Sequence, residues 1–86
     1  MGDTIINITN SSGSKTKSAA KAWYNKGNIL RELDKHEESI ECYDKAIELD
    51  PKYDNAWNNK GIAFHKLGKN EEALKCYDKA IELGEK

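Results

Sequence analysis

Hydrophobic residues recur along this chain at the spacing of helix faces. Between residues 20 and 33 they fall three or four positions apart, at Trp23, Gly27, Leu30 and Leu33. A second stripe, over residues 37–49, comprises Ile40, Tyr43, Ala46, Ile47 and Leu49. Both stripes match the 3.6-residue turn of an α-helix, so the pattern predicts two amphipathic helices separated by a break at Asp34.

The same pattern returns 34 residues further along the chain. Residues 20–52 and 54–86 are identical at 18 of 33 aligned positions, and residues 42–49 match residues 76–83 without a difference. Repetition at this period is typical of arrays of helix pairs. It predicts a third helix that begins at Asp54 and is capped by Gly68, and a last helix over residues 71–83.

Two glycines inside the predicted helices indicate close packing. Gly27 and Gly61 each cost a helix about 1 kcal/mol relative to alanine, so a compensating contact is expected. We predict that the rings of Tyr43 and Tyr77 approach these glycines from the partner helices. Large residues would then lie opposite small ones in each helix pair.

The repeated positions resemble the signature of the tetratricopeptide repeat (TPR) family. They read Trp23, Gly27, Leu30, Ser39, Tyr43, Ala46 and Pro51, and then Trp57, Gly61, Phe64, Ala73, Tyr77 and Ala80. Two features depart from the signature: Lys26 and Lys60 replace leucine before the glycines, and Gly84-Glu85 replaces Asp-Pro at the end. The resemblance implies an all-α fold, an α-solenoid of two antiparallel helix–turn–helix repeats. The domain would span residues 19–86, with repeats at 20–53 and 54–86.

The resemblance also implies a concave groove lined by the first helix of each repeat. Its lining residues would be Lys21, Tyr24, Asn25, Asn28, Arg31, Asn55, Asn58, Asn59, Ile62 and His65. Asparagine carries one acceptor and two donors, so it can bracket the backbone amide of an extended peptide. The groove is therefore expected to bind a protein or peptide. The alternative is that these are ordinary solvated residues.

Charge divides between the helices of the first repeat. Residues 20–33 carry three cations against one anion, and residues 37–49 carry five anions against one cation. A mildly basic groove favours an acidic segment or a free C-terminal carboxylate as ligand. A complete TPR carboxylate clamp is not expected: Asn28 and Asn59 match its asparagines, but Tyr24 stands in place of a lysine.

Other classes of function find little support in the sequence. A net charge of −1 gives the chain no overall positive potential that would attract nucleic acid. No apolar run approaches the length of a membrane span. His36 and His65 have no nucleophile at an evident spacing, and no phosphate-binding loop occurs. Cys42 and Cys76 are expected to be buried, reduced thiols. We therefore expect no enzyme activity, cofactor or metal, and a cytoplasmic location because no secretory signal is present.

The two ends of the chain raise separate questions. Residues 1–18 are rich in Asn, Ser, Thr and Gly, which predicts a flexible polar tail, although residues 4–9 have strand character and leave open pairing with another molecule. The last helix carries no following cap over Tyr77, Ala80, Ile81 and Leu83. The chain is then part of a longer array, marginally stable, or covered there by itself or a partner. Self-assembly through this surface is the alternative function.

Overall fold

The chain folds into four helices that pair along the sequence. The structure, a computed structural model, describes the backbone of residues 2–85 and the side chains of residues 17–85. Its helices are α1 (Gly2–Glu32), α2 (His36–Leu49), α3 (Asp54–Lys66) and α4 (Asn70–Gly84). Helix α1 packs along α2, α3 packs along α4, and α2 also packs against α3. This is the predicted all-α arrangement of two helix pairs, and no strand occurs among the described residues.

The first helix begins earlier than the sequence pattern predicts. We placed its start near residue 20, whereas the backbone of α1 is helical from Gly2. No proline interrupts residues 2–32, and proline is the residue that most strongly breaks a helix. The flexible tail predicted for residues 1–18 lies almost wholly outside the described side chains and stays a prediction. No described helix is both long and apolar enough to cross a bilayer.

Each helix pair turns through one residue in the left-handed backbone conformation. Gly68 adopts φ +80°, and Asp34 adopts φ +65° at the equivalent position of the first repeat. The next residue then donates its backbone N–H back to the last turn, from Lys35 to Leu30 at 2.8 Å and from Lys69 to Phe64 at 2.9 Å. These bonds satisfy carbonyl groups that a helix end leaves unpaired. The predicted capping role of Gly68 is confirmed.

Small side chains form most of the core. The residues with at most 4% of their surface exposed are Ala20, Cys42, Tyr43, Ala46, Ala56, Ala63, Ala73, Cys76 and Ser39. Leu33, which lies on the hydrophobic stripe of the first helix, is 61% exposed, and Trp23 on the same stripe is half-buried. Leu33 is exposed because it belongs to the turn after α1, and the large side chain that is fully buried is Tyr43, which packs against Gly27.

The predicted approach of the tyrosines to the glycines is confirmed. A Cβ atom built on Gly27 would lie 2.7 Å from Cε1 of Tyr43, and one built on Gly61 would lie 2.7 Å from Cε1 of Tyr77. Carbon atoms in proteins normally stay about 3.5 Å or more apart. Each ring therefore occupies the space that the missing side chain leaves.

Candidate functional site

A hydrogen-bond network joins α1 to α3 on the face predicted to form the groove. The amide nitrogen of Asn59 donates to Oδ1 of Asn28 at 2.8 Å and to the hydroxyl of Tyr24 at 3.1 Å. These residues are half-buried. The bonds cross between the two repeats, so this part of the predicted groove also sets the position of one repeat against the other.

Tyr43 extends the network into the core. Its hydroxyl donates to Oδ1 of Asn28 at 2.5 Å and accepts a bond from Nε of Arg31 at 3.2 Å. Tyr43 is fully buried. Burial raises the pKa of its phenol above the ordinary value of 10.0, and the Arg31 guanidinium opposes that rise. The phenol therefore stays neutral and can donate to Asn28 throughout the physiological pH range.

Aromatic rings pack beneath the network. The ring of Tyr24 lies 4.9 Å from that of Tyr53 and 6.0 Å from that of Tyr43, centroid to centroid. These separations fall in the range that favours tilted aromatic pairs. Tyr53 precedes α3, so the stack ties the turn between the repeats to α1. Tyr53 carries no sequence signal of this role beyond its place directly before the second repeat.

The ten predicted groove residues fall into two groups. Tyr24, Asn28, Arg31 and Asn59 belong to the network described above, and Ile62 is half-buried beside them on α3. The remaining five are exposed: Lys21, Asn25, Asn55, Asn58 and His65. The exposed group offers whole side chains to a ligand without disturbing the junction between repeats.

The exposed asparagines of the second repeat adjoin the end of the last helix. Asn55 and Asn58 line a surface depression together with Tyr77, Ala80 and Ile81. Ile81 is 57% exposed, and Tyr77, Ala80 and Leu83 are half-buried. The residues predicted for peptide binding and those predicted for self-association are thus adjacent on this end of the molecule.

An ion pair between the repeats was not anticipated from the sequence. Nζ of Lys60 lies 2.6 Å from Oδ1 of Asp44, and only 17% of the lysine side chain is exposed. In the sequence this lysine is only a departure from the family signature. Lys60 also lies over the ring of Trp57 at 5.1 Å, and its equivalent, Lys26, lies over Trp23 at 5.2 Å but makes no ion pair with a described residue.

The two cysteines are structural. Cys42 and Cys76 are free and buried, and burial raises the pKa of both thiols above 9.0. A raised pKa keeps a thiol protonated and slow to react. No group of three or more metal-binding side chains occurs among the described residues.

Two family models and two solved structures are similar to this chain. A family model described as "TPR repeat" matches residues 27–68, and one described as "Tetratricopeptide repeat" matches residues 55–86. Two crystal structures of MamA are 33% identical to this chain and cover 77% of it, with TM-scores of 0.75 and 0.73. The chain spans only 39% and 36% of the length of those structures. No curated protein matches the chain.

Proposed function

Because the chain belongs to the tetratricopeptide repeat family, a family of non-catalytic protein–protein interaction modules, we propose that its α1–α3 face binds a peptide segment of a partner. The observation that supports this most directly is the network of Tyr24, Asn28 and Asn59. It holds two neighbouring helices in one geometry before any ligand arrives. A surface ordered in advance loses less conformational entropy on binding than a mobile one.

Polar groups on this face remain available for a ligand. The amide nitrogen of Asn28 makes no hydrogen bond to a described residue, and Asn25 and Asn58 are exposed. An extended peptide presents alternating N–H and C=O groups, which the two ends of an asparagine amide can both satisfy. These amides therefore suit contacts with the main chain of a peptide.

The charge on the α1–α3 face favours an acidic ligand. Among the ten candidate residues there are two permanent cations, Lys21 and Arg31, and no carboxylate. Arg31 is half-buried against Tyr43, whereas Lys21 is exposed and can reach a ligand. We therefore propose a segment rich in Asp and Glu, or one ending in a free carboxylate.

An array of random decapeptides with free C-terminal carboxylates tests this function. We expect the bound peptides to be enriched in Asp and Glu. Fluorescence anisotropy of the best binder should then show an affinity about tenfold lower for Lys21→Glu, because a favourable charge becomes a repulsive one. Lys45→Glu makes the same charge change at an exposed position of α2, outside the α1–α3 face, and should leave the affinity unaltered.

Two results would count against peptide binding on this face. One is an equal loss of affinity for Lys21→Glu and Lys45→Glu. The other is a set of amide NMR shifts, on adding the binder, that cluster on α2 and α4. Substitutions of Asn28 or Asn59 are poor tests, because both side chains hold the repeats together.

A second function, self-association, is favoured by a different observation. The outer face of α4 exposes Leu74 (61%) and Ile81 (57%), and no described residue covers them. Burial of such apolar surface against another molecule is favourable by about 25 cal/mol per Å². Sedimentation velocity over a range of concentrations tests it, and a chain that stays monomeric throughout would refute it.

A further inference from the structure

The junction between the two repeats shows what a helix of this sequence packs against. On α2, Tyr43 and Ala46 are fully buried, and Ile47 is half-buried. On the facing helix α3, Ala56 and Ala63 are fully buried. The Lys60–Asp44 ion pair lies in the same junction at 2.6 Å. Small residues, a few larger apolar ones and one ion pair thus define the contact.

The outer face of α4 repeats the α2 side of that junction. Residues 76–83 are identical to residues 42–49, so α4 presents Tyr77, Asp78, Ala80 and Ile81 in the same register. These positions are more exposed than in α2: Tyr77 and Ala80 are half-buried, whereas their equivalents are fully buried. Asp78 is exposed and makes no ion pair with a described residue. This face has the composition of the junction, and no described helix of the chain covers it.

The outer face of α1 repeats the α3 side. Ala22 and Lys26 occupy the positions of Ala56 and Lys60 and are exposed, whereas Ala56 is fully buried and Lys60 is half-buried. Ile29, at the position of Ala63, is 58% exposed. Beside them lies a depression of about 480 Å³ to which Trp23, Lys26 and Leu30 contribute. The chain therefore carries both halves of its own internal contact, one at each end.

We propose that a second copy of this chain docks head-to-tail. Its α1 packs on α4 of the first copy in the register in which α3 packs on α2, and Lys26 of one copy pairs with Asp78 of the other. The proposal rests on the self-association proposed above and names its partner and geometry. Because the two contacting surfaces differ, each added copy leaves one of each exposed. Assembly therefore continues beyond a dimer.

Some positions weaken this contact relative to the internal junction. Asn25 takes the place of Asn59 and would face Ile62 and Asn58, which stand where the internal junction has Asn28 and Tyr24. Ile62 has no side-chain acceptor, so the bond equivalent to Asn59–Asn28 does not form. Ile29 also adds volume where the internal junction has Ala63, and overpacking of this kind is unfavourable. We therefore expect the association to be weak and detectable by sedimentation at chain concentrations of about 100 µM and above.

Charge reversal at the two ends tests both partner and register. Asp78→Lys alone places two cations opposite each other in the stack, and Lys26→Glu alone places two anions there. Each should weaken association at least about tenfold. An equimolar mixture of the two variants restores opposite charges at every contact and should associate like the original chain. The double variant Asp78→Lys with Lys26→Glu should also recover. Both positions are exposed, so the fold should survive, which circular dichroism checks.

Glu32→Lys serves as a control because it reverses an exposed acid whose equivalent in α3, Lys66, is exposed and makes no ion pair with a described residue. If the original chain is monomeric at every concentration, self-association and the head-to-tail geometry both fail. If the chain associates but Lys26→Glu has no effect, or the mixture does not recover, self-association stands and the head-to-tail contact is overturned. That pattern would point instead to a symmetric dimer between two α4 faces.

Discussion

Gly27→Ala is the most direct test of how the two helices of a repeat fit together. The position is helical and buried, and an added Cβ would lie 2.7 Å from Cε1 and 2.9 Å from Cδ1 of Tyr43. The ring has little room to move, because Tyr43 is fully buried and its hydroxyl is held by Asn28 and Arg31. Two opposing effects therefore decide the stability of this variant.

The magnitudes of the two effects differ enough to predict the sign. Replacing a helical glycine by alanine alone would stabilise the folded chain by about 1 kcal/mol. Forcing one extra carbon into a packed core costs about 1–3 kcal/mol, and moving the ring also strains two hydrogen bonds worth about 1 kcal/mol each. We expect Gly27→Ala to lower the free energy of unfolding by about 1–2 kcal/mol, which for a domain of this size lowers Tm by about 4–15 °C.

Gly61→Ala provides a matched comparison in the second repeat. Its Cβ would meet Tyr77 at the same 2.7 Å, but Tyr77 is half-buried and its hydroxyl bonds to no described residue. That ring can shift toward solvent at small cost. The Cβ atom would also lie 3.2 Å from the backbone oxygen of Ala73, which is a milder contact than the ring clash. The free energy of unfolding should therefore fall less for Gly61→Ala than for Gly27→Ala.

Urea unfolding followed by circular dichroism and tryptophan fluorescence measures both variants. The reasoning is refuted if Gly27→Ala raises the free energy of unfolding by about 1 kcal/mol, the value for an unhindered helix position. It is also refuted if the two variants are equally destabilised, because the difference in ring mobility would then have no consequence.

Three further predictions follow from single contacts. Asn59→Ala should lower the free energy of unfolding by about 1–2 kcal/mol, because it removes two hydrogen bonds between repeats. The equivalent Asn25 is exposed, so Asn25→Ala should change the free energy of unfolding by less than about 0.5 kcal/mol in the same urea assay. Asp34→Gly should raise Tm, because φ +65° costs a side-chain-bearing residue about 1 kcal/mol, and a lowered Tm would contradict this. Burial raises the pKa of Cys42 and Cys76, so these thiols lose their protons at lower pH in the unfolded chain than in the folded one. The free energy of unfolding should therefore fall as pH rises above about 9. A thiol reagent should react slowly with the folded chain and faster once urea is added.

The sequence predicted the helix pairs well because their causes are local. The helical spacing, the turn at Gly68 and the glycine–tyrosine contacts all depend on residues within one repeat. The junction between repeats was predicted poorly. Nothing in the local pattern distinguishes Lys60, which pairs with Asp44, from Lys26, which lies exposed over Trp23. The two lysines lie over equivalent tryptophan rings, and they differ because only Lys60 has an acidic residue of another helix within reach.

The two repeats share the residues that hold each helix pair together and differ on the α1–α3 face. Residues 42–49 and 76–83 are identical, yet Tyr43 is fully buried and Tyr77 is half-buried, because α3 packs over α2 and no described helix packs over the outer face of α4. Identity between repeats therefore preserves the contacts within a helix pair. Four of the five equivalent positions on the α1–α3 face differ between the repeats, as Arg31 and His65 do, and only Asn25 matches Asn59. If a peptide binds across both repeats, as we propose, it meets two different surfaces on two similar helices, which favours one binding direction over the other.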